Sequence, residues 1–494
     1  MEDSDEQQQE EEFLRQIQSV CESSAYDELI LNLQKENLLD RLKKCCRECN
    51  TLKGAQVQES ISSLLLHITK EVHHHRQFDS DHSDEGEHES VNNLGEVVSL
   101  MTVYRVILSC LVKSSLSDCS QEAFIIHKTV LKKVATDTLI LCASHAEKWP
   151  WTSERTRATA KDILDLLCDG CRVDSVSVLL SGSDTTTSNK EKPLLRQELF
   201  PGVLDVLHSR MTAWAPLPHV VCWCTMKVQY PHVGKHFSRL LPLLLKLIDD
   251  HQVINKVIGV QCLHHVMKNM NAAELIWYGR IDVIFEVLHR LLYLNEPVLL
   301  NQLYPCMLLV LQVMNSKSGR TDKRNKEFDS FMEVILTSME YESNLQLRRV
   351  HAVHLEKVVA HMQINLLRYL KRFLSVVLSY LAVHDDSKED IRINVLQALK
   401  TAMLHVWPRI AGHADVILEA LLKLVVDCFD SSSQCKDQLL NTCMECIIVL
   451  RYCLPNHVKK CLYTIKEGVC HAQLQEYIGK VLQNFDDEYG SGHG

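Results

Sequence analysis

The chain has 494 residues, 46% of them hydrophobic, with only 16 Gly and 11 Pro and a formal charge of −10. Turn-forming residues this scarce favour long helices over many short strands, and the length allows either several compact domains or one extended repeat array. The acidic balance argues against a nucleic-acid partner, because a phosphate-binding groove needs clustered Lys and Arg.

Residues 1–12 (MEDSDEQQQEEE) carry no apolar pattern and read as a disordered acidic tail. Helical spacing begins around Phe13, Leu14 and Ile17, runs through Leu29, Leu33 and Leu38, and returns from Ile61 to Val72. It opens an N-terminal helical region assigned to 13–234. Inside that region, 77–93 and 181–192 combine charge with Gly and Ser and read as flexible loops. Apolar helices are expected between them near Val97–Val112, Phe124–Cys142 and Ala158–Cys168.

From about residue 235 the chain aligns with itself, and 235–485 is assigned to a C-terminal repeat array followed by a disordered tail, 486–494. Asp250, Asn295, Glu342, Asp386 and Asp430 serve as origins spaced by 45, 47, 44 and 44 residues. Six residues after each stand Lys256, Asn301, Arg348, Arg392 and Lys436, and thirteen after each stand Leu263, Leu308, Leu355, Leu399 and Cys443. An apolar helix precedes every origin: Phe237–Leu247, Ile281–Leu292, Phe328–Met339, Leu370–Leu381 and Val416–Cys428. Two antiparallel helices joined by a polar turn account for this pattern. The turn residue is expected to cap the second helix, the cation to reach an acidic group of its own or the neighbouring unit, and the apolar position to face the core. The predicted fold is therefore all-α, a HEAT-like solenoid of stacked antiparallel helix pairs. A weaker copy lies upstream, with Arg157 and Leu164 at the same offsets from Trp151.

Candidate chemistry is sparse. Cys46 with Cys49, Cys168 with Cys171 and Cys443 with Cys446 have metal-like spacing, but whole helical units separate the pairs, so buried thiols in a reducing compartment are the simpler account. His73, His74, His75, His82 and His88 border a loop that offers no packed shell to orient ligands, and the adjacent His264 and His265 point to different faces. No GxSxG, GxGxxG or GxxxxGK[ST] occurs. The expectation is no catalytic, cofactor or metal site, and an inter-repeat loop over Lys317–Lys326. No basic-then-apolar leader is seen, and the richest apolar run, Leu240–Ile248, is short and contains Lys246. A soluble intracellular protein without a membrane partner is expected. The matching ladder residues Arg348 and Arg392 are expected to tie neighbouring units together, with contact to a partner as the alternative role, which makes them the candidate partner-binding positions.

Specific words in the sequence also carry a resemblance. The block Ile258–Leu275 (IGVQCLHHVMKNMNAAEL) resembles the Tel-two-interacting protein two family, the smaller Tti subunit of the triple-T complex. WPWTSERTRATAKDIL from Trp149, LQLRRVHA from Leu345, HVWPRI from His405 and LEALLKL from Leu418 agree with it, over roughly 140–485. The resemblance implies a HEAT-repeat subunit without catalytic residues or cofactors, found in cytoplasm and nucleus, that joins the Tel-two protein and the larger Tti subunit. It further implies a co-chaperone role with heat-shock protein 90 and a RuvB-like ATPase adaptor toward phosphatidylinositol 3-kinase-related kinases. The competing class is another HEAT scaffold, such as a transport receptor or phosphatase regulatory subunit.

Overall fold

A computed structural model describes residues 52–74, 87–117, 121–182, 198–210, 214–317, 326–384, 388–430 and 434–490. Among these, every regular element is helical. The acidic tail, Cys46, Cys49 and the interior of the Lys317–Lys326 segment lie outside the described residues, as do 77–86 and 183–192 of the expected loops. Two expected bounds differ from those observed: a helix already begins at Glu87, inside the first expected loop, and the last helix continues to Gly490, into the expected tail.

The chain divides into two compact units, one of residues 1–251 with 268–270, the other of 252–267 with 271–494. In the first unit, helices α1 (Leu52–His74), α2 (Glu87–Ser117), α3 (Gln121–Ala143) and α4 (Glu154–Cys171) are followed by α5 (Val176–Ser181), α6 (Phe200–Ser209), α7 (Leu217–Met226) and α8 (His232–Ile248). Helix α1 packs on α3 and α2 on α4, the alternate-neighbour packing of stacked helices. Tyr104 of α2 is fully buried and its hydroxyl lies 2.5 Å from Thr138 Oγ1 of α3, so the one polar atom it carries inward is paired.

The segment from Trp149 shows how sequence sets local structure. Ser153 caps α4, accepting from the Thr156 amide at 3.1 Å while its own amide donates to Thr156 Oγ1 at 2.9 Å. This is a reciprocal capping box with Thr in place of the usual Glu or Gln. Trp151 donates from Nε1 to the Ser144 carbonyl, closing the α3–α4 turn, and Trp149 lies 3.9 Å from the His219 ring of α7. Burial holds His219 down to about 4, so the ring packs as a neutral group. Arg157 donates to Thr152 Oγ1, reaching back to its own turn.

The second unit contains α9 (Val253–Lys268), α10 (Ala272–Trp277), α11 (Arg280–Leu291), α12 (Pro297–Lys317), α13 (Lys326–Tyr341), α14 (Leu345–Met362), a 3-10 turn (Gln363–Arg368), α15 (Leu370–Leu381) and α16 (Asp390–Ile410). A short 3-10 segment leads into α17 (Ala414–Asp430), α18 (Lys436–Cys453), α19 (Pro455–Gly468) and α20 (Ala472–Gly490). Helices α12, α14, α16 and α18 stack in series as one layer, and α13, α15 and α17 as the other. Successive pairs cross between layers, α13 on α14, α15 on α16 and α17 on α18. This is the expected solenoid of antiparallel pairs. Leu263, Leu308, Leu355, Leu399 and Cys443 are all buried, so the thirteenth position of each repeat does face the core. Burial of a side chain of this size contributes about 1.5–3 kcal/mol.

Helix α12 is more apolar over its length than any uninterrupted apolar run in the sequence suggests. The window Pro297–Ser316 of α12 is long and apolar enough to cross a membrane, with a mean hydropathy of 1.5, because its polar residues are uncharged Asn and Gln. More than half of that window, 56%, is buried against neighbouring helices, the position of a core helix in a helical array.

Candidate interaction surface

The ladder cations do something more specific than meet an acidic partner. Arg348 donates to the Glu342 carbonyl, Arg392 Nε to the Val383 carbonyl at 3.1 Å, and Lys436 Nζ to the Phe429 carbonyl. All three acceptors lie at or just past the C-terminal end of the first helix of the pair, where carbonyls lack intrahelical partners and the helix dipole is negative. In these three repeats the sixth position thus supplies a cation from the second helix that caps the first. Asn301 takes the same place on α12 and accepts from His354 Nε2 of α14 at 2.9 Å, tying one pair to the next.

Arg348 and Arg392 also reach the following unit. The Arg348 guanidinium lies 3.8 Å from the centre of the Tyr380 ring on α15, and the Tyr380 hydroxyl donates to the Met339 carbonyl on α13. Arg392, 3% exposed, lies 3.4 Å from Glu389, 1% exposed, and 3.7 Å from Asp427 of α17. Glu389 is in addition 2.6 Å from His384 Nδ1. The structure therefore places both candidate residues at joints between units, Arg348 half-buried and Arg392 within a buried ion-pair knot.

At the α13–α14 turn the capping role expected of the origin Glu342 falls to a neighbouring residue, and the origin Asp386 lies outside the described residues. Asn344, two positions after Glu342, is the N-cap of α14 and accepts from the Gln346 amide at 2.9 Å, while Glu342 Oε1 accepts from the Asn344 amide. The N-caps of α16 and α18 are Glu389 and Cys435, neither making a side-chain cap bond. A two-residue shift in the turn moves the cap without disturbing the period, which only the buried positions enforce.

Among the described thiol and imidazole candidates, Cys168, Cys171, Cys443, Cys446 and His73 are buried. Burial pushes Cys168 up to about 11 and Cys171 and Cys446 to about 12, and holds Cys443 well above its usual value, so these thiols stay protonated at neutral pH. His73 is buried at the end of α1 with its ring edge-on to Trp214. His264 and His265 are half-buried neighbours on α9, and His75 and His82 lie outside the described residues.

Sequence reasoning missed the exposed apolar side chains at the turns. Tyr293, Leu294 and Val298 flank the α11–α12 turn, Tyr341 and Leu345 the α13–α14 turn, and Val383 the α15–α16 turn. Tyr341 is 83% exposed. Because the pairs stack in register, these turns line one edge of the second unit. Exposed aromatic and aliphatic side chains that recur at successive turns, among polar neighbours, make this edge a candidate interaction surface. Aromatic composition alone could not reveal it, since turn residues fall outside the helical period that separates core from surface.

An array of antiparallel helix pairs with capped joints defines a HEAT-like α-solenoid architecture. The Tti2 family model matches residues 214–403. TELO2-interacting protein 2 of Mus musculus is 32% identical over 375 residues, covering 74% of this chain and 72% of the mouse protein. The Rattus norvegicus protein of the same name is 33% identical over 366 residues, covering 72% and 70%. Among solved structures, the chain is similar to Kap121p with a TM-score of 0.43 and 12% identity, covering 85% of this chain and 41% of that one. The chain belongs to the Tti2 family.

Proposed function

We propose that this protein is a non-catalytic scaffold subunit of a co-chaperone complex, in which it joins the Tel-two protein and the larger Tti subunit. The observation that carries the reading is the family membership over about three quarters of the chain, with relatives named TELO2-interacting protein 2. The mechanism is provision of surface. The capped joints hold successive pairs in register, and the edge bearing Tyr293, Tyr341 and Val383 is the face given to the partner. Through that complex it serves heat-shock protein 90 and a RuvB-like ATPase adaptor in the maturation of phosphatidylinositol 3-kinase-related kinases, in cytoplasm and nucleus.

The test is affinity purification of the tagged full chain from cells, followed by identification of stoichiometric partners and measurement of kinase abundance after depletion. Recovery of the Tel-two protein and larger Tti subunit, with kinase levels falling on depletion, supports the reading. Recovery of transport cargo or phosphatase catalytic subunits in their place contradicts it.

A further inference from the structure

Outside the ladder and the turn edge, one cluster of side chains converges on a single point. Asp415 opens α17, and His457 and Cys461 stand four residues apart on α19, a spacing that puts both on one helical face. Their ligand atoms all lie within 4.8 Å of one another. Asp415 Oδ1 is 2.6 Å and Cys461 Sγ 3.7 Å from the same atom, Nε2 of His457. Asp415 and Cys461 also help to line a groove of about 450 Å³, together with the apolar side chains Leu418, Leu422, Ile465 and Leu474.

We propose that Asp415, His457 and Cys461 form a binding site for a borderline-soft divalent transition metal, of which zinc is the representative. An ion pair between Asp415 and His457 accounts for only part of the geometry. The imidazole Nε2 holds either one proton or one lone pair. Given to the carboxylate at 2.6 Å, that proton leaves the sulfur facing a nitrogen with nothing further to share. A cation at the centre satisfies all three atoms.

The donor set, one thiolate, one imidazole and one carboxylate, selects zinc-like ions over magnesium or calcium, which take oxygen ligands. Tetrahedral zinc with bonds of 2.0–2.3 Å sets its ligand atoms roughly 3.3–3.7 Å apart. The sulfur–nitrogen separation already fits, and the carboxylate opens by a side-chain rotation available to a residue that is 76% exposed. On binding, the Cys461 S–H bond breaks, its proton goes to solvent, and the sulfur lone pair forms the metal bond. His457 binds through the Nε2 lone pair of its neutral, Nδ1-protonated form: an imidazolium releases its Nε2 proton to solvent, whereas a neutral ring protonated on Nε2 gives up that proton and takes one at Nδ1, and the fourth position stays open to water or to a donor from a partner. The sequence-based expectation of no metal rested on CxxC spacing, which cannot register a carboxylate 42 residues from the His.

The experiment uses the reduced full chain and follows iodoacetamide alkylation of individual cysteines by peptide mass, with free zinc buffered across the micromolar range. Exposed Cys470, which is outside the site, serves as the internal control. Zinc is expected to slow alkylation of Cys461 by about tenfold or more while leaving Cys470 unchanged, and magnesium to alter the rate at neither cysteine. Protection of Cys461 is expected to disappear in Asp415→Ala and in His457→Ala; all three side chains reach solvent, and circular dichroism checks that each variant is folded. Equal effects on Cys461 and Cys470, no effect on either, or protection that survives both substitutions overturns the proposal. The outcome is independent of partner capture, so the scaffold reading stands or falls separately.

Discussion

Replacing Arg392 with Ala tests the ladder where its energetic stake is greatest. The substitution removes a guanidinium that is 3% exposed and leaves Glu389, 1% exposed, without its buried counter-ion. It also strips the donor from the Val383 carbonyl. Breaking a buried pair by removing one partner costs about 3–5 kcal/mol, mainly because the surviving charge stays desolvated. His384, 2.6 Å from Glu389 and itself 57% exposed, remains as a partial partner, so the lower end of that range, about 3 kcal/mol, is expected. Arg348→Ala removes a half-buried cation over Tyr380 and one long carbonyl bond, and is expected to cost about 1 kcal/mol. Urea unfolding followed by circular dichroism measures both. The double variant Arg392→Met with Glu389→Gln, which removes both charges, should recover most of the loss. A cost below about 1 kcal/mol for Arg392→Ala, or no recovery in the double variant, would refute the buried-pair reasoning.

Burial holds His351 and His354 down to about 4, below their usual 6.5, with the Tyr304 hydroxyl 2.6 Å from His351 Nδ1. Their contribution is present in full above pH 6.5 and lost as pH falls toward 4, since the unfolded chain takes up protons first. A loss on the order of a few kcal/mol by the bottom of that window is expected, and a His351→Gln, His354→Gln variant should show a shallower pH slope between 7 and 5; an unchanged slope contradicts this. Ser153→Ala, which opens the capping box of α4, should lower stability by about 1 kcal/mol in the same unfolding assay. Cys443 and Cys446, buried with raised thiols, should resist alkylation in the native protein while exposed Cys470 reacts, and comparable rates would place the pair outside the core.

The array was legible in the sequence because burial enforces a period. Leu308, Leu355 and Leu399 must each meet the core, and their spacing reports it directly. The sixth-position cations were legible as a recurrence but not in their role, since a carbonyl acceptor leaves no side-chain signature in a sequence. The capping role of Asn344 was hidden for the opposite reason, as a turn residue can shift without altering which faces are buried. Helix α12 hid its apolar length behind scattered uncharged polar residues. Tyr293 and Tyr341 look like any core aromatic until the turns are placed, and Asp415, His457 and Cys461 meet only after two helices pack.

The central claim, that this scaffold holds its partners by the apolar turn edge, is tested most directly by reconstitution. The purified chain is mixed with the Tel-two protein and the larger Tti subunit and resolved by size-exclusion chromatography, beside a Tyr293→Ala, Tyr341→Ala variant of unchanged helicity and thermal midpoint. Loss of both exposed rings is expected to weaken assembly by about tenfold or more, because large aromatic side chains dominate interface energies. Co-elution of the wild-type chain with both proteins, and weakened co-elution of the variant, is the expected result. A wild-type chain that elutes alone, or a variant that assembles as well as wild type, would contradict it.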